Sequence, residues 1–203
     1  LVLWGIGLSG FCALGYEVLW TRVLTIAIGA SVYGFTIILV AFLTGLALGS
    51  AVYGALAKLA RGAEPGTRRL VLWFGLTQVA IGVTALIVTV YLRDIPANSV
   101  RLQAYFQGAD LLSFRSRTVA HFALAFLYMV VPAFFMGAAF PIAGEALARH
   151  RQAVGRAVGE VLAYNTVGAI LGAAVSGLFL IHLFGIERSL QMVTLLNVGM
   201  GGA

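Results

Sequence analysis

Long apolar runs separated by short charged loops constrain this chain more than any single motif does. The runs fall at about residues 3–28, 32–57, 70–92, 118–147 and 158–184, with a last one from 189 onward. Crossing the hydrocarbon core takes roughly 20 apolar residues at 1.5 Å rise, and there a helix pairs its own backbone polar groups. The pattern therefore predicts an all-α polytopic membrane bundle of about six transmembrane helices, with residues 1–203 forming a single transmembrane domain. Composition agrees: 10% of residues are charged, against about 25% in a soluble domain. The chain starts at Leu1 and stops within an apolar run, so it reads as a segment of a longer product, truncated at both ends.

The net charge of +6 is not a nucleic-acid signal, because most of the basic residues sit beside apolar runs, where they set orientation. Lys58, Arg61, Arg68 and Arg69 make one basic loop; Arg149, His150, Arg151 and Arg156 make another. These loops follow the second and fourth runs, which places them and both chain ends on the cytoplasmic side. Residues 93–117 form the longest polar stretch, with Asp94 and Asp110 among its arginines. Its apolar Val100, Leu102, Tyr105, Phe106, Leu111, Leu112 and Phe114 predict an interfacial amphipathic segment on the non-cytoplasmic side. Pro132 and Pro141 predict a kink in the fourth run. The partners this pattern calls for are the lipid bilayer and other membrane proteins or further copies of the chain.

Glu17 and Arg22 stand out because they lie inside the first run. An ionised side chain at that depth costs about 2.5–3.5 kcal/mol or more, so it must face protein, water or an opposite charge. Five residues on a helix turn through about 140°, which keeps the two off a common face. Glu17 could bind a cationic amine, carry a proton or pair with another helix, and the structural pair is the favoured reading. Arg22 is close enough to the end of the run to snorkel. Asn165, in the Tyr164-Asn165-Thr166 cluster, completes the candidate intramembrane polar site and would hydrogen-bond across helices. Tyr16, Trp20 and Tyr33 read as interface or packing aromatics.

The lone Cys12 excludes an internal disulfide. His121, His150 and His182 lack ligand spacing, so no metal site is expected. No nucleophile–base arrangement is visible, and neither catalytic residues nor a cofactor is assigned. Small residues at four-residue spacing mark helix contacts: Gly45 and Gly49 in the second run, Gly168 and Gly172 in the fifth.

Two separated blocks carry a resemblance. The stretch GFCALGYEVLWTRVLTIAIGASVYGFTIILVAFLTGLALGS, from Gly10, resembles the opening of bacterial spermidine synthase-like membrane proteins, also described as fused transporter/spermidine synthase proteins. GRAVGEVLAYNTVGAILGAAVSGLFLIHLFGIERSLQMVTLLN, Gly155 to Asn197, resembles a later part of the same family, and Phe140-Pro141 fits it. The resemblance implies a membrane domain of the bacterial cytoplasmic (inner) membrane, similar to half of a major facilitator transporter. In the family a soluble aminopropyltransferase-like domain commonly follows, and none of its nucleotide loop or acidic residues is present here. The transporter loop motif is also incomplete: Lys58 stands where its acidic residue belongs, four after Gly54, and Arg68-Arg69 come late. The expectation is thus a noncatalytic domain that anchors or supports a polyamine-related activity. A structural accessory subunit of a larger membrane complex is the alternative, and a small-amine transporter half acting as a dimer a further one.

Overall fold

The computed structural model describes residues 2–28, 32–59, 66–91, 114–151 and 154–202, with Ala97 and Arg101. Every regular element among them is helical: α1 (Val2–Ile28), α2 (Val32–Leu59), α3 (Thr67–Tyr91), α4 (Phe114–Arg151), α5 (Val154–Ala174) and α6 (Ile181–Gly202). A π-helical turn, Val175–Leu180, joins α5 to α6 without leaving the helix. Five continuous helical stretches are long and apolar enough to cross a membrane, the last running 49 residues from Val154 to Gly202. The chain is a multi-pass membrane protein by this measure. Most of the segment expected at 93–117 lies outside the described residues. Its last four residues belong to α4, because Phe114 to Arg117 continue the helix of the following apolar run.

That final stretch is not straight. Gly185 has φ 75° and ψ 171°, a backbone region essentially confined to glycine, and it breaks the helix. Gly15 of α1 faces both Ser176 and Val193, nine residues before Gly185 and eight after it. The two arms on either side of Gly185 therefore meet the same level of α1 and run antiparallel. Ser189 Oγ donates to the Gly185 carbonyl at 2.6 Å, a bond from serine to the residue four earlier that ties the first turn after the break to the glycine.

Glycines set which helices meet. On α1 and α5, Gly7 lies beside Tyr164 and Gly168, Phe11 beside Gly172, and Gly15 beside Ser176, so these two helices run parallel with backbone against backbone. On α2 and α4, Gly45 meets Ala133, Gly49 meets Phe134, and Gly137 meets Leu46, again in parallel. The α3–α6 contact is antiparallel: Gly75 faces Gly201, and Gly82 faces Val198 and Thr194. In lipid there is no hydrophobic drive between helices, so close van der Waals contact of this kind supplies much of the association. All four glycines of the expected packing stripes, Gly45, Gly49, Gly168 and Gly172, sit in these contacts.

The helix α4 passes through Pro132 and Pro141 as one element. Proline has no N–H, so Pro141 leaves the Gly137 carbonyl, four residues earlier, without its helical donor. Ser50 of α2 fills the gap: its hydroxyl donates to the Gly137 carbonyl at 2.7 Å. A side chain on one helix thus repairs a backbone defect in its neighbour, which is how lipid-embedded proline is tolerated.

The main core lies where α1, α2, α4 and α6 converge, around Tyr16, Leu19, Trp20, Phe42, Met129 and Leu190. Tyr16 and Trp20 stack with ring centroids 5.0 Å apart and are fully buried. Of the two readings, interface or packing, they take the packing one, because their face of α1 turns inward to the core. Tyr33 is 66% exposed. A second cluster, including Ile6, Phe74, Ile142, Ala157 and Val161, closes the end of the bundle where α1, α3 and α5 begin.

Candidate functional site

The three expected polar residues do not form one site. Glu17 is half-buried and Arg22 exposed, and neither side chain has a hydrogen bond or ion pair among the described residues. Asn165 packs against Gly10, with its backbone carbonyl and its side-chain Oδ1 both against the glycine. Gly10 lies seven residues before Glu17 on α1, about 10 Å along the axis at 1.5 Å per residue. Asn165 is thus a residue of the α1–α5 contact, held at a different depth from Glu17.

Polar groups do gather deeper in the bundle, around Tyr16 and Cys12 together with Gln78, Thr194 and Asn197, three residues the sequence does not single out. Tyr16 Oη donates to Thr194 Oγ1 at 3.1 Å, tying α1 to α6, and the Cys12 thiol points to the Val193 carbonyl at 3.8 Å. One turn beyond Thr194 on the same stripe is Asn197, 1% exposed. Gln78, 0% exposed, lies on the stripe of α3 that carries Gly75 and Gly82, the face turned to α6. The register of those glycines puts Gln78 level with residues 198 to 202, about one turn beyond Asn197. The Asn197 amide faces the Tyr16 hydroxyl, whereas the Gln78 amide has no hydrogen-bond partner among the described residues, and the same holds for Trp20 Nε1 and Ser176 Oγ. An orphaned buried polar group costs about 1–3 kcal/mol. This layer is a neutral one: it offers donors and acceptors to a polar guest or an internal water, and no charge to a cation.

The second concentration of polar chemistry is at one end of the bundle. There the ends of α2 and α4 meet the start of α3 around a cleft of about 790 Å³. Glu145 is its centre. Tyr53 Oη donates to Glu145 Oε2 at 2.6 Å, while Arg149 reaches Oε1 from Nη2 at 2.7 Å and from Nε at 3.2 Å. Both carboxylate oxygens are therefore engaged. Arg69 lies over the Trp73 ring, 5.1 Å from its centroid, and Lys58 stands across the opening. The walls below are apolar: Val52, Leu56, Leu76, Phe134, Phe135 and Ile142. Arg156 and Glu160 pair at 3.0 Å one turn apart on α5.

A further groove, about 390 Å³, runs along the outer face of α1 and α5 between Trp4, Leu8, Tyr164 and Leu171. Trp4 and Tyr164 meet edge to face across it, with centroids 6.0 Å apart. It is almost wholly apolar and turned toward lipid. No cluster of three His, Cys, Asp or Glu side chains suited to a metal occurs among the described residues.

The Glu145–Arg149 pair is legible from its spacing of four on one helix, but Tyr53 is not, because it lies 92 positions from Glu145 and no local pattern spans that distance. Gln78 is a lone amide in an apolar run and gives no stronger signal than a surface residue would. Comparison with protein-family models, with curated proteins and with solved structures gives no match.

Proposed function

We propose that this chain is a noncatalytic module of the bacterial cytoplasmic membrane that crosses it six times and anchors or supports a polyamine-related activity. The observation that carries the six-crossing reading is the reversal at Gly185. A 49-residue helix would be about 74 Å long, more than twice the ~30 Å hydrocarbon core, whereas two antiparallel arms fit it. With α1∥α5, α2∥α4 and α3 antiparallel to α6, the arrangement is up-and-down, similar to one half of a major facilitator transporter. The described helices then place Lys58, Arg68, Arg69, Arg149 and Arg156, with Glu145 and Glu160, at one end. With Arg151 that end holds six lysine or arginine residues among the described ones, against five at the other, Arg22, Arg101, Arg115, Arg117 and Arg188. This narrow excess supports a cytoplasmic position for that end and for both chain ends.

The polyamine link rests on the resemblance of the two sequence blocks to spermidine synthase-like proteins. The competing reading, a structural accessory subunit, is favoured by one observation. Along α5, the π-helical turn and α6, Ile170, Leu178, Leu183 and Leu195 are 63–73% exposed, a broad apolar face that another membrane protein could cover. A dimeric amine transporter would need a polar cavity at Glu17, and neither cleft described above includes that residue.

Two measurements test the proposal. On a Cys12→Ser background, Lys58→Cys and Glu187→Cys should be labelled by an impermeant maleimide from opposite sides of the membrane. Labelling from the same side would sink the six-crossing reading. Intact mass of the natively purified protein, with identification of what copurifies, addresses the role. A mass tens of kilodaltons above 21.4 kDa supports a linked synthase, and a mass near 21.4 kDa with fixed membrane partners favours the accessory subunit.

A further inference from the structure

We infer that the cleft between α2, α3 and α4 is a binding site for one anionic phospholipid, its phosphate held by Lys58 and Arg69 and an acyl chain lying in the cleft below. The inference needs only that these helices lie in a bilayer and does not depend on the polyamine reading.

Charge complementarity is the first argument. Three cations, Lys58, Arg69 and Arg149, line the cleft with one carboxylate, Glu145. That carboxylate already accepts from Tyr53 and Arg149, so it does not cancel the other two. Neither Lys58 nor Arg69 has an ion pair among the described residues. Arg69 is held in place by Trp73 through its face, which leaves its in-plane N–H donors available to phosphate oxygens. Basic pockets between membrane helices near the headgroup level are suited to anionic lipids.

Shape is the second. The cleft extends from Lys58 to Gly49 on α2 and from Arg69 to Thr77 on α3. At 1.5 Å per residue these are about 14 Å and about 12 Å, close to the depth of one leaflet, half of ~30 Å. Its apolar walls open sideways: Val52, Leu56 and Leu76 are 41%, 58% and 65% exposed. A soluble anion would use the cationic rim alone and leave this length of apolar wall unfilled. A lipid uses both.

The test is native mass spectrometry of the whole chain, purified in detergent and titrated with phosphatidylglycerol or phosphatidylcholine. The expected result is retention of one phosphatidylglycerol at least tenfold above phosphatidylcholine. Lys58→Gln/Arg69→Gln should lower that retention tenfold or more. Arg156→Gln, a cation outside the cleft, should leave it unchanged. Leu76→Trp fills the cleft without altering charge and should also cut retention; at an exposed position it keeps the test alive if the charge variant fails to fold. Inorganic phosphate or glycerophosphate should not compete. Undiminished retention in the double variant or in Leu76→Trp overturns the site. Equal loss in Arg156→Gln would reduce it to diffuse surface charge, and competition by phosphate would make it a soluble-anion site; either result overturns the inference.

Discussion

Along α2 and α4, polar groups meet as donor and acceptor: Ser50 with the Gly137 carbonyl, Tyr53 and Arg149 with Glu145. Between α1, α3 and α6 the same bundle buries Gln78 at 0% exposure with no partner for its amide among the described residues. The difference follows from what each polar group does. Ser50 repairs a backbone gap made by proline, so removing it exposes the gap. The Gln78 amide repairs nothing, so its burial is a cost carried by the packing around it. Polar content in a membrane bundle thus has no fixed sign in stability. The sign depends on whether the group completes a pair.

The largest expected effect attacks the paired side through its packing. Gly49→Leu would drive a side chain into the Phe134 backbone and separate α2 from α4, costing about 3 kcal/mol. Denaturant unfolding of the reconstituted protein reads this directly, and a cost below about 1 kcal/mol would mean that the helices are not held so close. Ser50→Ala comes next, at about 1–2 kcal/mol for the orphaned Gly137 carbonyl. Pro141→Ala restores the helical N–H, so in the double variant the serine should matter less. A coupling of about 0.5–1 kcal/mol in the double-mutant cycle is expected, and strict additivity would refute the repair.

Gln78→Met should move the other way. It replaces an orphaned amide by an apolar chain of similar length and should stabilise the bundle by about 1 kcal/mol. Loss of stability instead would show that the amide has a working partner and that both regions of the bundle pair their polar groups. Tyr16→Phe removes the bond to Thr194 and should cost about 0.6 kcal/mol, the mean for hydrogen bonds between membrane helices. The smallest change belongs to Arg156→Gln. Its pair with Glu160 is solvent-facing on the arginine side, 72% exposed, and is worth about 0.3–0.5 kcal/mol, falling with salt.

The apolar runs and the break near Gly185 are legible in the sequence because hydropathy and glycine act locally. The stripes Gly45–Gly49 and Gly168–Gly172 are visible too, but which backbone each one meets depends on helix register. For the same reason Ser50 looks like an ordinary small residue: its role exists only because Pro141 is 91 positions away and level with it. Glu17 drew attention through the cost of a buried charge, which a sequence reports without regard to direction. In the fold that charge is half-buried and apart from Asn165, while the groups fully removed from solvent are neutral. Asn165 stands out through its polar neighbours Tyr164 and Thr166, whereas Gln78 lies in an apolar run with only Thr77 beside it. The stretch expected at 93–117 lies mostly outside the described residues.

The bond between Ser50 and Gly137 also bears on the order in which the protein is made. Synthesis runs from the amino end, so α2 is in the bilayer before α4 emerges. The hydroxyl is then already waiting when the proline-broken helix arrives, and α4 need not sit in lipid with a bare carbonyl. A rearranged chain that delivered α4 first would present the same residues in the wrong sequence of events. Its expected fault is slow or failed insertion of that helix, with the finished bundle no less stable once formed.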